Sequence, residues 1–343
     1  MTITVSKDRL ESFVSEVFVR AGVPDDRAKV LASCLVEADL EGISSHGVTR
    51  VPVYVKRILD GYTEVMEDVS IIEDYPATAV VDGKNVIGQV ASEFSMRLAI
   101  EKAKKVGFGC VSLRATNHAG TCAHYSMMAV KENMIGFTFM NTTPLAAVFG
   151  GTHKAVGNNP FSVAVPASRH YPVVLDMACA AAQGKIEVLL KKGERVPEGW
   201  AVDEDGKPTT DPAKALKGVL LPIAGPKGSG IAIINDIICG ILSGSGVGNE
   251  IRHLNDPAPQ NLGCLFMALD ISKFDDVEHF KNRVDDYVDY LKGTAVNDET
   301  ILMPGEVGFL EKENRLQFGI PLPEKIVDDL NVTAEKLGME DRL

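Results

Sequence analysis

Near Pro76 the chain changes texture, and that change limits its fold more than any other feature. Before it, apolar residues recur at three- and four-residue spacing. Leu10, Phe13, Val14, Val17 and Phe18 mark one stripe, and Val30, Leu31, Cys34, Leu35 and Ala38 mark another beyond the Gly22-Val23-Pro24 break. That spacing predicts two helices, with Pro24 suited to a first helical position and Gly42 as a stop, and a third helix beginning after Gly47. After Pro76 come short β-rich runs at Ala77 to Val81, Cys110 to Ala115, Ile135 to Asn141, Phe161 to Val165 and Val173 to Met177. Helical patterns at Gln89 to Val106 and Ala123 to Lys131 lie among them.

The rest of the chain continues the mixture. Lys191 to Leu216 carries Pro197, Gly199, Gly206, Pro208 and Pro212 among charges and reads as an exposed loop with turns. Helices are expected at Gly228 to Leu242, Val277 to Leu291 and Pro323 to Leu337, and strand-like stretches at Cys264 to Leu269 and Leu316 to Ile320. Strands and helices do not strictly alternate. An α/β fold of the α+β type, with a mixed sheet and a helical lobe, therefore fits better than a regular doubly wound sheet. With 343 residues against ~150 per domain, two lobes are expected. Residues 1–75, 228–255 and 325–343 form the helical lobe, and residues 76–227 and 256–324 form the sheet domain.

Composition excludes several classes. Apolar residues at 45% and charged residues at 24% are ordinary for a globular chain, and the net charge of −12 disfavours nucleic acid and anionic lipid as partners. Anionic ligands would need locally placed cations. The six cysteines are scattered without a Cys-x-x-Cys pair, as in a reducing cytoplasm. Lys7, Asp8 and Arg9 interrupt the start where a signal peptide would be apolar, and Ile231 to Leu242, broken by Asn235 and Asp236, is too short to span a membrane.

Standard motifs fail. Gly228-Ser229-Gly230 precedes a helix, but Ile233 occupies the third glycine position of a dinucleotide fingerprint and the glycine-rich Ser243 to Gly248 cannot be the strand that presents Glu250. No phosphate loop, nucleophile elbow or His-Glu-x-x-His site occurs. Ser44 to Arg50 is more suggestive. A helix starting near Gly47 would align His46, Arg50 and Tyr54 at four-residue spacing, joining an imidazole that titrates near neutrality to a guanidinium that grips carboxylates, with Arg50 and Tyr54 as the substrate-binding residues. A solvated helix face with a capping serine fits the same spacing.

Asn117-His118-Ala119-Gly120 follows a strand and precedes a helix, a place for binding groups or for a histidine that ties down its loop. Asp176 ends an apolar strand, where a carboxylate needs a partner such as a histidine or a helix start. Lys227 with Gly228 and Gly230 is a weak anion-site pattern, and Pro304-Gly305-Glu306 by itself is a turn. His118, His124 and Asp176 could instead serve a metal-dependent hydrolase or lyase.

Ten islands in one order resemble the malate/L-lactate dehydrogenase-like oxidoreductases, a family that includes 2,3-diketo-L-gulonate reductase, ureidoglycolate dehydrogenase, sulfolactate dehydrogenase and piperideine-2-carboxylate reductase. They are Ser45-His46-Gly47 with Arg50, Asn117 to Gly120, Gly157-Asn158-Asn159-Pro160, Leu175-Asp176-Met177-Ala178, Gly184-Lys185, Val196 to Ala201, Thr209-Thr210-Asp211-Pro212, Lys227 to Gly230, Leu242-Ser243-Gly244 and Pro304-Gly305-Glu306. The resemblance implies a non-Rossmann fold and a homodimer that uses NAD or NADP to interconvert 2-oxo and 2-hydroxy acids or to reduce cyclic imines.

It also implies site roles. His46 is the proton donor supported by Ser45 and Asp176, with His118 as the rival acid/base, and Arg50 holds the substrate carboxylate. The cofactor lies along Thr142, Asp176, Met177, Ala178, Cys179, Ala180, Lys227, Gly228, Pro304, Gly305 and Glu306. Leu302 in place of an arginine, Ala224 in place of the first of two glycines, and the unpolar Cys179 to Ala182 depart from the family pattern. They fall near the cofactor groove, leave its NAD or NADP preference open, and make a member that binds a metabolite without catalysis conceivable.

Overall fold

A computed structural model describes residues 2–181, 183–296 and 299–343, with only the backbone described for Gln183, Gly184, Val188 and Lys191. Ala182, the end of the Cys179 to Ala182 departure, lies outside the described residues.

The chain opens with a strand, β1 (Thr2–Val5), that the early helical spacing did not suggest. Helices α1 (Lys7–Arg20) and α2 (Asp25–Leu40) follow, with Ser6 capping α1 and Pro24 standing one place before α2 at its N-cap. Their apolar stripes are buried as the spacing requires, including Leu10, Phe13, Leu31 and Leu35. The third helix starts later than expected. Ser44–His46 and Val48–Arg50 are two short 3-10 turns, and α3 runs only from Val51 to Leu59. His46, Arg50 and Tyr54 are therefore not neighbours along one α-helix, because Asp39 accepts the Val48 N–H at 2.7 Å and turns the chain at Gly47.

Next come β2 (Ser70–Asp74), β3 (Thr78–Asp82), α4 (Gly88–Val106), β4 (Phe108–Thr116), α5 (Cys122–Val130), β5 (Met134–Met140), β6 (Phe161–Val165) and β7 (Val173–Met177). The Lys191 to Leu216 stretch is more ordered than a loop. It lies among α6 (Gln183–Lys192), β8 (Ala201–Val202), α7 (Pro212–Lys217) and β9 (Val219–Leu220), which enclose a small core with Ile186, Val196, Ala201 and Leu220. Helix α8 (Pro226–Asp236) runs into a π-helical turn, Ile237–Ile241.

The chain ends with β10 (Leu262–Asp270), α9 (Val277–Lys292), α10 (Glu306–Phe318), β11 (Ile320–Pro323) and α11 (Glu324–Lys336). Leu316 to Phe318, read as strand, complete α10; only Ile320 enters β11.

The main sheet has seven strands in the order β2-β3-β4-β10-β5-β6-β7. Only β3 and β4 run parallel within it; the other neighbouring pairs are antiparallel. A doubly wound dinucleotide fold needs parallel neighbours, so this mixed α/β architecture is different. Helices α4 and α5 cover one face over Met96, Val111, Leu113, Tyr125 and Phe266. The close approach depends on Gly109 and Gly136, where a Cβ would run into the backbones of Ala99 and Ser126.

A second core joins both ends of the chain. Antiparallel β1 and β11 pair Val5 with Ile320, and Leu10, Phe13, Leu35, Val51 and Leu330 pack in the same cluster. Residues 228–255, grouped above with this helical lobe, divide between cores. Leu254 packs with the helices, whereas Ala232 joins the small core near Ile186 and the π-turn rests on β4 and β10.

Candidate active site

The two cores meet where the 3-10 turns after α2 face the loop between β4 and α5. His46 and His118 stack there with ring centroids 5.6 Å apart and planes at 26°. Ser45 Oγ stands 2.9 Å from His46 Nδ1, and the Ser45 carbonyl accepts a 2.7 Å bond from Arg50 Nε. Tyr54 Oη is 2.6 Å from His118 Nδ1, and Gln89 Nε2 donates to that hydroxyl at 3.3 Å. Ser45, His46, Arg50, Tyr54 and His118 thus gather in one place, although the turns rather than a shared helix face bring them there.

The loop that carries His118 is held from several sides. Gln260 Oε1 accepts the His118 N–H at 2.9 Å, and Asn117 Nδ2 donates to Asn85 and Val86 at 2.9 Å. Gly88 starts α4 against the carbonyls of Asn117 and His118, leaving no room for a Cβ. Behind Tyr54 and His118 lies a pocket of about 20 Å³ bordered by Arg57, Gln89 and Gln260, enough for one water. Buried Arg57 donates to the carbonyls of Leu254, Asp256 and Ala258, tying α3 to the segment before β10. Sequence reasoning missed Gln89, Arg57 and Gln260, which carry no local motif and matter through contacts between distant segments.

Electrostatics favour neutral imidazoles. Burial, reinforced by the Arg50 charge, holds His46 down at about 4. Burial first, then His46 and Arg50, holds His118 well below its ordinary value. Among the described residues Arg50's guanidinium donates to the Ser45 carbonyl, and no carboxylate pairs with it. A guanidinium beside two neutral rings is ready for an added anion, which would offset its charge and return a proton affinity to the rings. Burial pushes the Tyr54 hydroxyl to about 12, keeping it a hydrogen-bonding group.

Asp176 does not fill the role expected for it. Its carboxylate accepts the Ala123 N–H at 2.7 Å, capping the start of α5, and neither His46 nor His118 is its partner. Burial raises it to about 6 despite that bond. His124 faces Cys34 and Glu93, at 3.2 and 3.1 Å, and not His118 or Asp176. The histidine-aspartate metal set considered for a hydrolase or lyase is therefore not assembled among the described residues.

The expected cofactor segments line β7, with Pro304 and Gly305 on its first residues and Thr142, Cys179 and Gly228 grouped past its end. The Val174 N–H bonds to the Pro304 carbonyl at 2.9 Å, and Gly305, at φ +84°, presses on Val174 where a Cβ would not fit. The Cys179 N–H donates to the Asn158 carbonyl at 2.7 Å, and Thr142 Oγ1 donates to Asn158 Oδ1 at 2.7 Å. Gly228, in the first turn of α8, backs onto the carbonyls of Ile223 and Cys179, and Lys227 beside it is exposed.

Such a floor of glycine and backbone beside a helix start suits a flat ring and a phosphate, so these residues fit a dinucleotide. Glu306 contributes differently. Its carboxylate takes Lys292 Nζ at 2.5 Å and the Met303 N–H at 2.8 Å, fixing the turn. Two departures are also visible: Ala224 holds φ +48°, a left-handed conformation that a glycine adopts without cost, and Leu302 is exposed.

Known proteins resemble this chain over nearly its whole length. A family model described as malate/L-lactate dehydrogenase matches residues 5–331. Malate dehydrogenase of Pyrococcus abyssi is 39% identical over 98% of this chain and 96% of its own length. Ureidoglycolate dehydrogenase (NAD(+)) of Escherichia coli O157:H7 is 30% identical over 95% of this chain and 93% of its own. The solved sulfolactate dehydrogenase of Methanocaldococcus jannaschii superposes with a TM-score of 0.94 at 39% identity, covering 98% of each chain.

Proposed function

Because the chain belongs to the malate/L-lactate dehydrogenase family, we propose that it interconverts a small 2-hydroxy acid and its 2-oxo acid with NAD or NADP. Malate and sulfolactate, the compounds named for its relatives, head the substrate list, and a cyclic imino acid is a further one. The observation that carries this reading is Arg50, without a carboxylate partner among the described residues, beside the stacked pair His46 and His118.

Arg50 binds the substrate carboxylate and fixes C2 near the rings. His46, oriented by Ser45, takes the hydroxyl proton during oxidation and returns it during reduction. His118, held by Tyr54 and stacked beside His46, polarises the same oxygen. Nicotinamide, when bound, supplies the hydride chemistry at C2. Thr142, Asp176 to Ala180, Lys227, Gly228, Pro304 and Gly305 would hold the dinucleotide, and Glu306 would keep the last turn in shape. The working form is a homodimer, its subunits joined through the exposed apolar face of α8 and the π-turn, where Ile234, Ile237, Ile241 and Leu242 meet solvent.

Steady-state kinetics of His46→Ala and His118→Ala, with cofactor binding followed by nicotinamide fluorescence, test the roles. In the His46 variant kcat is expected to fall about 10²–10⁴-fold while cofactor affinity stays near wild type. Undiminished turnover in that variant, with collapse in the His118 variant, would transfer the acid/base role to His118.

A further inference from the structure

Cys34, Glu93 and His124 form a cluster that the proposed chemistry leaves unused. They come from three helices: Cys34 from α2 in the helical lobe, Glu93 from α4 and His124 from α5 on the sheet. His124 Nε2 is 3.2 Å from Cys34 Sγ and 3.1 Å from Glu93 Oε1, and the three donor atoms all lie within 4.8 Å of one another. Among the described residues, no other group of three His, Cys, Asp or Glu donors is so arranged. Cys34 is buried, while the side chains of Glu93 and His124 each keep 15% exposure, so the cluster opens to solvent on one side. Arg97 Nη2 holds the Glu93 carboxylate at 2.9 Å, and the edge-on Tyr125 ring, centroid 5.1 Å away, braces His124.

One thiol, one imidazole and one carboxylate at this spacing match the donor set of a thiophilic divalent ion. Zinc bonds of ~2.3 Å to sulfur and ~2.0–2.1 Å to nitrogen or oxygen make tetrahedral ligand edges of ~3.3–3.6 Å. The two short separations, 3.2 and 3.1 Å, need only open by a few tenths of an ångström. A thiolate in the set disfavours calcium and magnesium, which take oxygen ligands. We propose that Cys34, Glu93 and His124 form a three-ligand site for Zn²⁺, with the fourth position left to water, and that the ion clamps α2 to α4 and α5 across the boundary between the two cores. The site is separate from the dehydrogenase reading and does not depend on it.

The test uses the full chain, stripped with a chelator, dialysed and titrated with Co²⁺. One equivalent per chain is expected to produce thiolate-to-cobalt charge-transfer absorption that Zn²⁺ then displaces. Cys34→Ser is expected to abolish the band, and Glu93→Gln, which keeps the side chain's size, to weaken Co²⁺ binding about tenfold or more. Zn²⁺ should also slow alkylation of Cys34 by iodoacetamide about tenfold or more and raise the Tm of the wild-type chain but not of Cys34→Ser. Cobalt absorption without a thiolate band, a band that survives in a folded Cys34→Ser chain, or alkylation of wild-type Cys34 at one rate with and without Zn²⁺ would each overturn the site. The alkylation arm decides the matter on the unmodified chain if Cys34→Ser fails to fold.

Discussion

At the scale of single residues, the site rests on keeping two imidazoles neutral beside a cation. His46 is held at about 4 by burial and by Arg50, so at neutral pH it is a base awaiting a proton. The sign of the pH dependence follows. For oxidation of the hydroxy acid the neutral ring is the competent form, and kcat/KM should stay level as pH falls from 7, with its acid limb well below the 6.5 of a free imidazole. For reduction the protonated ring is required, and kcat/KM should rise about tenfold per unit as pH falls over the same range. Profiles in both directions check this; an acid limb at or above the ordinary histidine value would mean that the titrating group is not His46 in this setting.

At the scale of elements, the junction between α2 and the 3-10 turns sets the position of His46. Asp39, buried at the end of α2 and raised by that burial to about 6, accepts the Val48 N–H, and Gly47 passes so close that a Cβ would overlap its carboxyl group. Gly47→Ala should therefore cost about 2–3 kcal/mol of stability and lower kcat/KM, because His46 is the adjacent residue. Thermal unfolding and kinetics check it, and a variant that melts with wild type would show that the turn has slack.

Much of this scale was legible from local pattern. Val173 to Met177 is β7 without adjustment, and α4 and α9 begin and end within a residue of their apolar stripes and caps. What the pattern missed has a physical cause. In α10, Glu311, Lys312, Glu313, Asn314 and Arg315 obscure any apolar stripe, and no α10 residue is fully buried, so periodicity had nothing to detect. The partnership of β1 with β11 spans nearly the whole chain and leaves no local signal. The motif residues Ser45, His46, Arg50 and His118 were visible by name, but their meeting depends on Gln260, Asn117 and Gly88 fixing a loop. Asp176 shows the limit most clearly: a strand-end carboxylate needs a partner, and the sequence alone did not choose between a histidine and the α5 amides.

At the scale of the whole molecule, the helical core supplies His46, Arg50 and Tyr54, and the sheet supplies His118 and the segments fitted to the dinucleotide. No helix among the described residues is long and apolar enough to cross a membrane, so the isoleucine-rich face of α8 and the π-turn asks for another explanation. A second copy of the chain covers it in the proposed homodimer. Ile241→Glu, at a position 64% exposed, should leave the fold intact and shift the chain to monomer in sedimentation. An unchanged dimer would place the interface elsewhere.

The proposed function requires direct hydride exchange between C2 of a 2-hydroxy acid and nicotinamide at the site of Arg50 and His46. Malate and sulfolactate carrying deuterium at C2, incubated with the chain and oxidised NAD or NADP, test it by mass spectrometry of the reduced cofactor. One of the acids is expected to deliver its deuterium to the nicotinamide ring, and the transfer is expected to be lost in His46→Ala. Cofactor reduced without the label, or no reduction with either acid, would contradict it.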